Sequence, residues 1–243
     1  MTTLTTRILI VLLAWSLAGS VPAAEDPHWL AQRAASSDAV VLAQLDRTDY
    51  EYRRDFPVGG RAWFRPLQTW KSDRPLRGLL IVGEQGLHEH ECYFPRLLPW
   101  EERPRFLLFL VRDEDSGAWR GHPDGCALEV LVNDANRYAA RWPQPGFGGE
   151  HGRGDEVIRQ SAQTMTLQGP RSRIDASDLL PHQRRELAER DFMRVEDSSL
   201  VPTRGIELGD LRQLMRPGLQ PDGAASDGRR IEELRRQILP DTG

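Results

Sequence analysis

Arg105-Phe106-Leu107-Leu108-Phe109-Leu110-Val111 is the stretch on which the fold turns. A short apolar run bounded by turn residues is the pattern of a strand buried on both faces. Leu79 to Val82 has the same character. Upstream, Ala39 to Leu45 is rich in β-formers, and the charged stretch Asp46 to Asp55 reads as strand end and loop. Gly59-Gly60 opens a second extended segment, Arg61 to Trp70, whose Pro66 marks an edge or bulged strand. Downstream, Leu128, Val130 and Val132 alternate with Glu129 and Leu131, a further strand. Five strands joined by loops of varied length predict a mainly β fold, a small closed antiparallel barrel. Asp26-Pro27 predicts a short helix over His28 to Ala35 ahead of it, broken by Ser36-Ser37-Asp38.

Past the strands the texture changes. Pro143-Gln144-Pro145-Gly146, Gly148-Gly149, Gly152 and Gly154 form a Pro/Gly-rich linker. Beyond it the sequence reads as helices joined by loops. A short helix runs from Pro181 to Asp191. Leu208, Leu211, Leu214 and Met215 mark an apolar stripe ended by Pro217-Gly218, and Ile231, Leu234 and Ile238 mark another ended by Pro240. The expected organisation is a signal peptide over residues 1–23, a barrel domain over 24–148, and a helical, partly flexible extension over 149–243.

The first segment sets the compartment. Arg7 precedes a greasy run from Ile8 to Leu17, small residues follow, and Val21-Pro22-Ala23 has the form of a signal-peptidase site. The run is about half the roughly 20 residues a bilayer-spanning helix needs, so no transmembrane segment is expected after cleavage. Periplasmic location or secretion follows. Cleavage would leave 31 basic and 36 acidic residues, a net charge of −5, which points away from nucleic acid as a partner. Cys92 and Cys126 are an even pair in an exported chain, which favours a disulfide.

The sharpest local cluster is His88-Glu89-His90-Glu91-Cys92. In an extended backbone His88, His90 and Cys92 share one face and are candidate ligands for zinc or copper. If Cys92 is oxidised, two imidazoles remain, and His122 is the candidate third ligand. The alternative is a solvated loop beside a disulfide. Glu101-Glu102 and Asp113-Glu114-Asp115 read as solvated turns. The chain has no G-x-S-x-G elbow, H-E-x-x-H helix or phosphate-binding glycine loop, and no catalytic residue or cofactor is assigned. Arg153-Gly154-Asp155 spells an adhesion tripeptide but three common residues meet often by chance. Tyr93, Trp100 and Trp119 are candidates for a binding surface, since large aromatics carry interface energy. Arg229, Arg230, Arg235 and Arg236 in the last helix are offset by Glu232 and Glu233, the pattern of an ordinary amphipathic helix.

Several of these features together resemble a known module. Ser37-Asp38-Ala39-Val40-Val41-Leu42-Ala43 is a first strand after a short helix, and Pro66-Leu67-Gln68-Thr69-Trp70-Lys71 ends the second. Cys92 follows, then Arg105-Phe106-Leu107-Leu108-Phe109-Leu110, then Gly125-Cys126. The chain resembles, over residues 26–135, the secreted bacterial form of the netrin-like module. That is the oligonucleotide-binding-type (OB-like) barrel also used by the tissue inhibitors of metalloproteinases. The resemblance implies a barrel stapled by Cys92 and Cys126 and a bias towards protein binding over catalysis. It does not carry the inhibitors' mechanism, because the mature chain would begin near Ala24-Glu25-Asp26 without the N-terminal cysteine that seats on a protease zinc. The expected function is a non-enzymatic protein-binding or accessory module of the cell envelope. Its partner would be an envelope or secreted protein, met by loops around Leu87 to Trp100 and Asp113 to Asp124. Two rivals are a periplasmic metal-binding protein centred on His88 and His90, and a hydrolase whose acidic and histidine side chains converge in one pocket.

Overall fold

Alternate residues of the Phe106–Leu110 run enter two different cores. In the computed structural model this run lies in strand β4, Arg105–Arg112, beside β1, Ala39–Arg53. Phe106, Leu108 and Leu110 join Ala39, Val41, Ala43 and Leu45 inside a barrel. Leu107 and Phe109, with Val40 and Leu42, point the other way into a second apolar cluster. The period-two geometry of a strand sends a continuous apolar run to both sides at once. The structure describes residues 29–54, 56–86, 92–98, 102–142, 161–176, 181–182, 184–185 and 193–220.

The barrel is closed and has five strands. β1 pairs with β2, Phe56–Ser72, which pairs with β3, Leu80–Gln85; β5, Trp119–Gly121, lies between β3 and β4, and β4 returns to β1. Every pairing in this ring is antiparallel except β3 with β5, which meet at one register position, Val82↔Trp119. The OB-like barrel predicted from the sequence is therefore present. Its closing strand is the three-residue β5, too short to show apolar alternation. The strand predicted around Leu128 is β6, Ala127–Asn133, which pairs with the first half of β4 and leads out of the barrel.

Two long strands depart from expectation. Asp46 to Arg53 continues β1 beside β2, from Arg47↔Trp63 to Arg53↔Phe56, with register shifts at Asp46 and between Glu51 and Tyr52. Ladder pairing holds this ribbon although five of its eight side chains are charged, and hydropathy does not register it. Pro66 lies where β2 has only β1 beside it, since β3 pairs no further than Phe64. The missing N–H is thus on an unpaired edge, next to a register shift between Leu42 and Ala43.

β6 opens a wing. It pairs with β7, Tyr138–Trp142. After the linker come the short strands β8, Gln163–Thr164, and β9, Leu167–Gln168, then β10, Ile174–Asp175, β11, Met193–Glu196, and β12, Ser199–Pro202. β13, Arg204–Glu207, pairs with both β7 and β8 and so rejoins the main sheet, while β10, β12 and β11 make a separate small sheet. Strands of two to four residues leave no periodic signature, so the sequence reads here only as loops and helices. The described residues of the Pro181 helix, 181, 182, 184 and 185, are helical. The signal segment 1–23, the Pro/Gly linker and the Ile231 helix lie outside the described residues.

The expected terminal helices cover the outer face of β1 and β4. α1, Trp29–Ser36, supplies Leu30 and Ala34; α2, Leu208–Leu219, supplies Leu211 and Met215. Trp70 fills the same cluster. α2 runs through Pro217 and Gly218, which the sequence reads as its stop. Gly218 packs so closely on α1 that a Cβ there would overlap the Ala31 carbonyl oxygen. The Lys71 ammonium donates to the carbonyls of Ala34 and Ala35 at 2.9 and 2.7 Å, capping the C-terminus of α1.

Inside the barrel, Phe94 stacks edge-to-face on Phe64 and Phe106 at centroid distances of 4.6 and 5.1 Å. The Cys92–Cys126 disulfide, with Cα atoms 6.0 Å apart, ties this segment down across a sequence separation of 34. Reduction should lower stability by about 3 to 4 kcal/mol by loop entropy, read from urea unfolding with and without reductant. Gly218→Ala should cost about 3 kcal/mol because the helices must separate. In the same helix Gly209 has open space around its Cβ position, so Gly209→Ala should be neutral or gain about 0.5 kcal/mol in the same assay.

Candidate functional site

A cleft of about 520 Å³ lies at the seam where β3 and β5 diverge. The loop after β2, Asp73 to Leu79, forms one wall and turns back through Gly78 at φ 72°, a left-handed conformation that favours glycine. Its apolar lining includes Pro75, Leu76, Leu79, Ile81 and Trp119. Leu79 and Ile81 are 42% and 41% exposed. Arg61, Arg74, Arg77 and Arg112 also line it. The volume falls within the usual range for ligand clefts, roughly 300 to 1,000 Å³.

Register brings these arginines together. Arg61 lies opposite Gly83 in the β2–β3 pair, and Arg112 lies opposite Trp119 in the β4–β5 pair. The Arg112 guanidinium sits over the Trp119 ring at 5.0 Å, a cation–π contact, and its buried Nε has no hydrogen-bond partner among the described residues. Arg61, Arg77 and Arg112 form no ion pair among the described residues. Among the described residues the Arg74 guanidinium pairs only with its neighbour Asp73, at 3.4 Å with both side chains largely exposed, a contact of little energetic weight. Asp113, nearby in the β4–β5 turn, is engaged by Arg120 at 3.0 Å and by Ser116; the Ser116 hydroxyl and amide hold its carboxyl below the usual range. The cleft is therefore a cationic rim on an apolar floor.

A second cationic cluster gathers three arginines around a single carboxylate. The register shift at Asp46 in β1 leaves its carboxylate facing Arg103 at 2.6 Å, with Arg47 at 3.7 Å and Arg65 at 3.9 Å. Arg47 also lies over Trp63 at 4.4 Å.

The third cluster has the residue types of a hydrolytic triad but the wrong hydrogen bonding. His122 is 5% exposed, with Nε2 2.9 Å from the Ser36 hydroxyl and Nδ1 3.9 Å from the Asp124 carboxylate. The Asp124 amide donates to Nδ1 at 3.3 Å, which leaves Nε2 carrying the proton and donating to Ser36. A base that is to activate the serine needs the opposite tautomer. The Ser36 hydroxyl in turn is within 3.0 Å of the Gln32 carbonyl, and Arg33 donates to the Gly125 carbonyl, so the cluster fastens α1 to the loop after β5. Desolvation, reinforced by the Arg33 charge, pushes the His122 pKa down to about 4.

Trp119, expected at a binding surface, lines the cleft. Tyr93 does not: its hydroxyl donates to the Gly86 carbonyl at 2.8 Å and its ring packs edge-on against Tyr50, bracing the segment after the disulfide. The Tyr50 hydroxyl accepts from the Phe94 amide, and burial pushes its pKa up. Cys92 is held in the disulfide and both nitrogens of His122 are engaged, so neither is available to join His88 and His90 on a metal. No group of three candidate ligands forms among the described residues. His88, His90 and Trp100 lie outside the described residues. No helix among the described residues is long and apolar enough to cross a membrane.

No family model, curated protein or solved structure matches the chain.

The low pKa of His122 has a consequence for stability. The folded state holds the imidazole neutral where the unfolded chain binds a proton, so the contribution is complete above about pH 6.5 and is lost as pH falls towards about 4. The loss should be on the order of 2 to 3 kcal/mol. Urea unfolding of wild type and His122→Gln across pH 7.5 to 4 should give curves that converge at acid pH, with the wild type falling more steeply.

Proposed function

We propose that this chain is an exported, non-enzymatic protein-binding module whose working surface is the cleft between the Asp73–Leu79 loop and β5. One observation carries this reading. Four arginines and exposed apolar side chains share one concavity in a chain of net charge −4, and three of those arginines have no carboxylate partner among the described residues. Unpaired like charges crowd unfavourably in a free protein, and an opposing surface of complementary charge relieves that repulsion. The netrin-like resemblance adds a bias towards binding. The signal-peptide pattern and the disulfide support export to the periplasm or beyond.

The test is a crosslinking pull-down from native envelope and secreted fractions, using the tagged mature protein with a photo-crosslinking residue in place of Arg77. A partner captured in stoichiometric yield, and lost at least tenfold when Arg74→Glu is added, is the expected result. Crosslinks indifferent to that charge reversal would remove the cleft from the account. Fractionation that left the intact chain in the cytoplasm would remove the export reading.

A further inference from the structure

We infer that the cleft receives an acidic, extended segment of the partner, in which carboxylates alternate with apolar side chains and which lies along the edge of β3. This rests on the reading of the cleft as a protein-binding site and specifies what is bound. Charge gives the first half of the argument. Arg61 comes from β2, Arg74 and Arg77 from the loop after it, and Arg112 from β4, so cationic groups line the cleft from three elements and do not belong to one loop cradling a single phosphate. A chain of carboxylates spaced along a backbone matches such a distributed set.

Shape gives the second half. The floor is apolar at Leu79, Ile81 and Trp119, and a strand presents alternate residues to opposite sides, so one extended segment offers carboxylates to the rim and apolar groups to the floor. β5 pairs with β3 at Val82 alone, and among the described residues no strand lies beside that edge of β3 ahead of Val82. A segment placed there meets backbone groups as well as side chains, the pattern of strand addition. Single-stranded nucleic acid fits less well. It binds through open aromatic faces, and a face of Trp119 is covered by Arg112.

The experiment uses the full mature protein and three fluorescein-labelled probes. They are a short peptide alternating glutamate with leucine or threonine, the same peptide with lysine for glutamate, and an oligothymidylate of equal charge to the first. Anisotropy should show binding of the glutamate peptide at least tenfold tighter than of either other probe. Arg77→Glu, at an exposed loop position, should weaken it tenfold or more with an unchanged thermal midpoint, and raised salt should weaken it too. Amide exchange at residues 79–81 should slow on peptide addition. Equal or tighter binding of the lysine peptide or the oligonucleotide overturns the inference, as does binding insensitive to Arg77→Glu. Failure with the glutamate peptide while the crosslinked partner is still captured through the cleft overturns the ligand class and leaves the binding module standing. Failure of both removes both.

Discussion

The pairing of β1 with β4, from Ala39↔Leu110 to Gln44↔Arg105, is the interaction on which the rest of the structure depends. Both strands are apolar on both faces, so neither face can be left to water. Burial of a single large aliphatic or aromatic side chain stabilises by about 1.5 to 3 kcal/mol, and this pair supplies such residues to two clusters. The inner cluster draws β2, β3 and the Phe94 segment around it and closes the barrel. The outer cluster requires a cover, which α1 and α2 provide. At eight residues α1 is too short to be helical alone, so its helicity comes from Leu30 and Ala34 packing on the sheet and from Lys71 at its C-terminus.

This dependence explains which parts of the chain could be read in advance. Ala39 to Leu45 and Phe106 to Val111 announce themselves because burial on both faces leaves an uninterrupted apolar string. The Cys92–Cys126 bridge could be expected because the two cysteines make an even pair. The ribbon beyond Asp46 was less visible, though Thr48, Tyr50 and Tyr52 alternate with charged residues in the period of a strand. β5 and the strands after residue 162 were not visible, since Trp119-Arg120-Gly121 and the two-residue strands hold their places by pairing and have no pattern of their own.

The candidate site shows the same division more sharply. Trp119 could be nominated from its type, but Arg61, Arg74, Arg77 and Arg112 form no motif along the chain. They are neighbours only because the register sets Arg61 opposite Gly83 and Arg112 opposite Trp119. The His122 cluster is equally silent in sequence, being assembled from α1 and the loop after β5. There the hydrogen bonds, and not the residue types, decide the role: an imidazole that accepts from a backbone amide at Nδ1 and is neutral by burial anchors a helix.

The β3–β5 seam joins fold and site. One pairing position is little to hold two strands, and at the end away from the cleft other contacts reinforce it. The Glu84 carboxylate accepts from the Gly121 amide at 2.9 Å. The disulfide passes so near that a Cβ on Gly121 would lie 2.7 Å from the Cβ atoms of Cys92 and Cys126 alike. Only a residue without a side chain fits between bridge and strand, so the staple and the glycine are a single device. It fixes β5 at Gly121, and among the described residues no strand lies beside the seam edge of β3 ahead of Val82. One wall of the cleft comes from a strand seated beside the disulfide and the other from a loop turned by Gly78. The disulfide thus acts on the site through the barrel: it stabilises the fold at the point where an unsupported seam would otherwise open.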